Sequence, residues 1–470
     1  MPAPLIMGRP ERTVLKFVVV GGSLAGLATA YALRKEGHHV MLLERNDGKT
    51  RSRGGIRSPP NMTRILQDWG FRRVLNKVGV PCTEYDFFEG ETGSALGLVR
   101  MHEDLVSELM ADFLFLQHGD LHTILFNAAL QAGVDIHYNA KVTHVNASRP
   151  SVTLETGETH LADVIIGADG HNSVVRSAVV DPETIIERLD RHLALIAVVP
   201  VEDMRDDEDL RSLTESNMWT LWLGNDYFAH GSLMHGRREY NINIFIPRRG
   251  KAPQFGEHWN TECSIDEVGI NFVQLEPRMQ KLLKIAEHVV PTSHIIREPF
   301  ENYVSDQSTV CLVGEAAHPM MPNGSHNASM SIEDAATLGR LFARIQHKDQ
   351  IPRIVGAFEE LRQSRCTYTQ EYEWRKREFF TLPRGAAQEL RDAGLREAMQ
   401  RETDEWDGID EEYLKWRYER ELELFAHDAC EVVEDWWTKW GALLDRQAAV
   451  AGPLRSPVEV SISRNGRVHA

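Results

Sequence analysis

The sequence predicts an α/β architecture: a parallel sheet flanked by helices, an antiparallel sheet inserted into it, and a helical C-terminal region. Three observations predict it. Val14–Val20 is an apolar, β-branched run that meets Gly21, Gly22, Ser23 and Gly26 and then passes into Ala- and Leu-rich chain. Two more apolar runs, Ala162–Ile166 and Thr309–Val313, also end in glycine turns. Between Arg188 and Pro299 the pattern changes to alternation, the period of half-buried strands.

The chain has 470 residues, which is too long for one core, and two or three domains are expected. It is 42% hydrophobic and 26% charged, the balance of a globular protein. A net charge of -17 argues against a nucleic-acid partner, which needs clustered Lys and Arg. The cysteines Cys82, Cys263, Cys311, Cys366 and Cys430 are odd in number and form no CxxC pair. Neither a disulfide framework nor a metal site is expected, and a reducing, cytoplasmic setting fits. Met1–Pro10 lacks the pattern of a secretory leader. Phe17–Leu33 is broken by glycines and is short for a span of about 20 residues, so no integral membrane segment is expected. The expected partner is a small-molecule substrate, with the protein a monomer or homodimer.

Taken in order, Val14–Val20 reads as a buried strand, Leu27–Lys35 as a helix stopped by Gly37, and His39–Glu44 as a second strand. This is the βαβ unit of a dinucleotide fold. Glycine allows the tight turn, the approach of backbone to pyrophosphate and the packing of helix on strand. The helix N-terminus offers N–H groups and a positive dipole end to phosphate. Glu44, eighteen residues after Gly26 and followed by Arg45, is placed to accept hydrogen bonds from a ribose. The middle glycine of the usual pattern is Ser23, still a small residue.

The second run leads into Gly167-Ala168-Asp169-Gly170-His171-Asn172-Ser173-Val174-Val175-Arg176. The third leads into Gly314-Glu315-Ala316-Ala317-His318-Pro319-Met320-Met321-Pro322, then Asn327-Ala328 and a helix carrying Glu333-Asp334-Ala335. These resemble the GADGxxSxxR and GDAAHPMxP…GxNxxxxDA segments of class A flavoprotein monooxygenases, the para-hydroxybenzoate and salicylate hydroxylase group. Gly54-Gly55-Ile56-Arg57-Ser58-Pro59-Pro60-Asn61 resembles the group's flavin-covering loop, and Gln117-His118-Gly119-Asp120-Leu121-His122 its HRADLH segment. The resemblance runs from about Lys16 to the C-terminal helix and implies a Rossmann-like FAD-binding domain. By that resemblance Asp169 lies near the pyrophosphate, Glu315 binds the ribityl chain, and the helix after Asn327 faces the flavin pyrimidine. Three departures stand out: Glu315 replaces Asp, Asn327 replaces Gly and His118 replaces Arg. A neutral His118 donates one hydrogen bond where Arg offers a fork.

The full expectation is a discontinuous FAD-binding domain over 14–81, 113–185 and 300–385. A β-sheet substrate domain takes 82–112 and 186–299, a helical region 386–450, and flexible termini 1–13 and 452–470. In the substrate domain, Leu193–Val199, Trp219–Leu223, Tyr227–Leu233 and Tyr240–Ile246 read as antiparallel strands, and about Thr83–Val99 joins them. Phe228, His230 and Ser232 share one face. His230 is either a base for a phenol or a histidine satisfied within the sheet. Arg191 and Tyr227 are further candidates for anchoring a phenolate or carboxylate. Phe425, Ala429, Val433, Trp436, Trp437, Trp440 and Leu443 recur at helical spacing, the stripe of a helix packed on its own protein.

The resemblance implies that NADPH or NADH reduces FAD, that O2 then forms a C4a-hydroperoxide, and that one oxygen atom reaches an aromatic substrate. Neither a second Rossmann unit nor a redox CxxxxC near the first helix is present, which disfavours a flavin disulfide reductase. An epoxidase, or a rearranging or decarboxylating monooxygenase of secondary metabolism, remains open, as does a catalytically inactive FAD-binding protein.

Overall fold

The strand Lys16–Val20 sits at the centre of a five-stranded parallel sheet ordered Val310–Leu312, Val164–Gly167, Lys16–Val20, His39–Leu43, Asp135–His137. The computed structural model describes residues 13–48, 52–101, 109–248, 261–268, 272–322, 324–404 and 421–441. Phe17, Val18, Val19 and Val20 are all buried, as a β-branched strand covered on both faces requires. Helix Leu24–Lys35 packs against helices His118–Ala132 and Asn327–Phe342. The helix starts at Leu24, three residues earlier than the expected Leu27, with Ser23 at its N-cap.

The second sheet has eight strands in the order Cys263–Ser264, His288–Arg297, Glu187–Pro200, Glu239–Pro247, Tyr227–Met234, Met218–Gly224, Glu84–Glu89, Ala95–Arg100. Its pairs are antiparallel except that of Met218–Gly224 with Glu84–Glu89. All four alternating segments are strands of this sheet, and the 83–99 segment supplies two more. His288–Arg297 was not anticipated. Pro291 interrupts its pattern, and the strand tolerates a proline because one neighbour is only the two-residue Cys263–Ser264.

Cross-strand register sorts the side chains of this sheet. Leu221 opposes His230, which opposes Asn243, and Leu223 opposes Phe228, so these share a face with Trp219. That face meets strand Gly55–Ser58, where the Gly55 N–H donates to Oδ1 of Asn241 at 3.0 Å. The opposite face carries Trp222, over which Arg278 of helix Pro277–Ala286 lies at 5.8 Å.

Helix Ile351–Phe380 joins the two halves: Phe358 is buried in the core of the parallel sheet and Phe380 in that of the antiparallel sheet. In the C-terminal stripe Val433 and Trp436 are buried, Trp437 is half-buried and Trp440 is 58% exposed. Leu443 and, apart from Thr13, the termini expected to be flexible lie outside the described residues. No helix among the described residues is long and apolar enough to cross a membrane.

Candidate active site

The three glycine segments converge on one cleft. Gly21 has φ +108°, and a Cβ there would stand 2.3 Å from the Ala168 carbonyl oxygen. A Cβ on Gly26 would stand 1.9 Å from the Gly21 oxygen, so only glycine lets this helix begin against this strand. Gly314, at φ +59°, faces the Cβ of Ala25. First, second and third segments are thus in mutual contact at the C-terminal ends of the strands, where open α/β sheets hold ligands.

Glu44 closes one side. Its Oε2 accepts from the Gly22 N–H at 2.6 Å and its Oε1 from the Asn46 N–H at 2.8 Å. The carboxylate therefore shapes the glycine turn, and its remaining lone pairs can accept from a ribose. Arg45 beside it is exposed.

Asp169 is occupied locally. It accepts from the Ser173 hydroxyl and from the N–H groups of Val174 and Val175 at 2.7 and 3.1 Å, capping the short helix Val175–Ala178. Its role is to fix the turn. Arg176 does the joining: it donates to the carbonyls of Ala316 at 2.8 Å, Glu315 at 3.0 Å, His171 at 2.9 Å and Gly170 at 3.2 Å.

The Glu315 side chain lines the cleft, 35% exposed, and desolvation by the protein packed around it pushes its carboxyl up to about 7. Asn327, the first residue of helix Asn327–Phe342, donates through Nδ2 to the Met321 carbonyl at 2.8 Å and to Oε1 of Glu315 at 3.4 Å. Pro322 is half-buried and Ala328 buried in the helix's first turn. Across the cleft, the His118 N–H donates to the Gly54 carbonyl at 2.9 Å. The His118 ring stacks near His122, and burial lowers it to about 4, so it is neutral at pH 7.

These residues fit FAD. Neither Ser23 nor His326 caps its helix with its side chain, so two helix N-termini face the cleft with backbone donors for anionic oxygen. The Asn327 Oδ1 atom is buried with no partner among the described residues, an acceptor suited to a ligand N–H.

The substrate side is built where the antiparallel sheet meets strand Gly55–Ser58. His230 is 2% exposed, and Nη1 of Arg57 lies 3.3 and 3.4 Å from its two ring nitrogens. Arginine has no lone pair, so a ring nitrogen of His230 accepts. Arg57 also donates to the Gly324 carbonyl at 3.0 Å and stands 5.4 Å from the Trp219 ring centre. Lys376 stands 6.0 Å from the same ring and donates to Ser325 Oγ at 3.0 Å and Glu373 Oε1 at 3.2 Å. That Glu373 oxygen also accepts from the Ser325 N–H at 3.0 Å and pairs with His326 Nδ1 at 2.5 Å. Burial raises the Glu373 carboxyl, but the charge of Lys376 and the hydrogen bond from His326 outweigh it and hold the group below the ordinary range.

Two candidates are not brought to this junction. Tyr227 sits on the opposite face from His230, because neighbouring strand residues alternate, and its ring packs on Gly224 and Gly90. Arg191 is 59% exposed and pairs with Asp226 at 3.1 Å. Sequence reading missed Arg57, Trp219, Glu373 and Lys376 as site residues. Arg57 lay in the quoted loop, but nothing local marks which way it points.

Beneath the cleft lies a buried charge network. Asp334 accepts from Arg362 Nε at 2.8 Å and from the Gly314 N–H at 2.8 Å, and pairs with His318 Nε2 at 2.6 Å. Glu333 binds Arg362, Arg365 at 3.1 Å and Asn61 Nδ2 at 2.6 Å. His318, Asp334 and Cys366 lie within 4.8 Å of one another. The guanidinium of Arg362 already stands among them and donates to Cys366 Sγ at 3.6 Å, so the cluster is an ion-pair network holding the third segment.

The chain belongs to the FAD-binding-domain family, whose model matches residues 14–367, and within it to the class A flavoprotein monooxygenases. It is an FAD-dependent monooxygenase. It is 27% identical over 446 residues to FAD-dependent monooxygenase OpS4 of Beauveria bassiana (strain ARSEF 2860), covering 94% of this chain and 98% of that protein. It is 28% identical over 339 residues to 3-hydroxybenzoate 6-hydroxylase of Klebsiella oxytoca, covering 70% and 80% of the two chains. Among solved structures, CtdE in complex with FAD and substrate 4 matches with a TM-score of 0.70 at 18% identity, over 92% of this chain and 100% of that one. A salicylate hydroxylase substrate complex matches at 0.67 and 20% identity, over 84% and 96%. At these identities the structural likeness speaks to the fold.

Proposed function

We propose that the protein consumes NADH or NADPH and O2 to place one oxygen atom on an aromatic small molecule, a phenol or aromatic acid, in the cytoplasm. The observation that carries this reading is the meeting of His230 and Arg57 where the antiparallel sheet closes on the Gly54–Asn61 loop. Bound FAD supplies electron transfer from the pyridine nucleotide and the activation of O2. The chain does the rest. The helix N-termini at Ser23 and His326 hold anionic oxygen, Glu44 and Glu315 hold hydroxyls, and the apolar face of Leu221, Leu223 and Phe228 excludes water. His230, by taking the proton of a phenolic hydroxyl on a ring nitrogen, leaves an electron-rich phenolate to accept oxygen.

Purified holoenzyme should oxidise NADH or NADPH faster with a phenolic substrate present, and under ¹⁸O₂ the product should gain one labelled oxygen by mass spectrometry. Flavin reduction with no labelled product across a broad phenol panel would return the reading to a binding protein.

A further inference from the structure

We propose that Arg57 and Lys376, both set against the Trp219 ring, form the seat for an anionic oxygen of the substrate, and that this seat selects aryl anions over neutral aromatics. The proposal rests on the monooxygenase reading above and specifies which side chains choose the substrate. It replaces Arg191 and Tyr227, which the fold turns elsewhere.

Three observations support it. The first is charge balance. Arg57 is 5% exposed and Lys376 has 19% of its side chain exposed, while Glu373 beside them accepts from Lys376. Burial lowers the Arg57 guanidinium to about 10, so it stays charged at neutral pH. Burial also lowers His326, which leaves it neutral there. Among the described residues, one buried and one half-buried cation stand by one carboxylate, a positive excess. Excess charge away from water is costly unless a counter-charge arrives.

The second is a set of hydrogen-bonding atoms awaiting a partner. Trp219 Nε1, both amide atoms of Asn243, His326 Nε2 and Glu373 Oε2 are buried with no partner among the described residues. They come from two strands, the turn before helix Asn327–Phe342, and helix Ile351–Phe380, yet His230 opposes Asn243 in register and its ring lies 5.7 Å from Trp219. Two of these atoms, Trp219 Nε1 and Asn243 Nδ2, are donors, which an anionic oxygen of a ligand satisfies. The indole N–H adds a donor to those of Arg57 and Lys376.

The third is position. Arg57 bridges His230 on the substrate sheet and the Gly324 carbonyl on the turn before the cofactor-side helix. An anion held there lies at the boundary between the two halves, with an aromatic plane beside it. When a phenol gives its proton to His230, the oxygen left behind is next to a guanidinium that has no lone pair to compete for that proton.

The test uses the holoenzyme with 1-naphthoate and its neutral isostere 1-naphthamide, read by perturbation of the flavin visible spectrum. In the unaltered protein naphthoate should bind about tenfold or more tightly than naphthamide, the scale of one charge-assisted contact. Arg57→Gln and Lys376→Gln should each reduce that preference by about tenfold, weakening naphthoate more than naphthamide, with Arg57→Lys retaining part of the preference. Flavin content and melting temperature report folding, and if Arg57→Gln does not fold, Lys376→Gln carries the test. Equal affinity for the two probes, binding of neither, or a preference that survives in the variants overturns the proposal. A shift of the flavin midpoint potential in Arg57→Gln with the preference intact also overturns it, by assigning Arg57 to the cofactor. Failure to retain FAD or to incorporate ¹⁸O in the unaltered protein would instead overturn the monooxygenase reading.

Discussion

Nε of Arg176 donates to the carbonyl oxygen of Ala316 at 2.8 Å, across 140 residues of chain. This one side chain joins the second glycine segment to the third, and its other nitrogens hold the carbonyls of Glu315, His171 and Gly170. Replacing it by Met keeps much of the volume and orphans buried acceptors. Arg176→Met should destabilise the fold by about 3 kcal/mol, the cost of leaving buried carbonyl acceptors unpaired. Urea unfolding monitored by circular dichroism checks this, and an unchanged midpoint would show that the carbonyls are satisfied by water.

Glu44 holds the glycine turn through Gly22 and offers further acceptor sites to the cleft. Glu44→Ala should weaken FAD retention by about 1–3 kcal/mol, for the loss of hydrogen bonds to a charged acceptor. Flavin occupancy after dialysis measures it directly, and undiminished occupancy would remove Glu44 from the site.

Glu315 gives a pH dependence with a defined sign. Its carboxyl is raised from 4.5 to about 7, chiefly by burial. The folded state then binds more protons than the unfolded state between those values. Its contribution to stability is present in full below about 4.5 and is lost as pH rises through 7. FAD-free protein should therefore lose stability over that window, and Glu315→Gln should flatten this part of the curve. Melting temperatures across the window decide it; identical curves for the two proteins would place the carboxyl in freely exchanging water.

His230→Ala should slow oxygen transfer more than it weakens FAD binding, by about 10²–10⁴-fold if the imidazole takes a phenolic proton. Single-turnover kinetics with bound substrate separate the two effects. Equal turnover would make His230 a structural partner of Arg57.

What the sequence determined by itself is the cofactor half. Gly21, Gly26 and Gly314 report backbone angles and close approaches that other residues cannot adopt, and apolar runs before them report buried strands, so local pattern alone fixes a dinucleotide cleft. The departures Ser23, Glu315 and Asn327 are likewise readable as variant contacts, because their positions follow from the turn. Alternation also placed Phe228, His230 and Ser232 on one face. It could not say which face looks inward, and so it offered Tyr227 and Arg191 alongside them. That choice belongs to strand pairing: the register with Met218–Gly224 and Glu239–Pro247 turns His230 toward Arg57, and Tyr227 away. The junction of Arg57, His230, Trp219, Glu373 and Lys376 draws on residues from position 57 to 376 and obeys no spacing rule. Only packing brings them together, because a side chain's neighbours across 173 residues are set by how two sheets and a long helix close on one another.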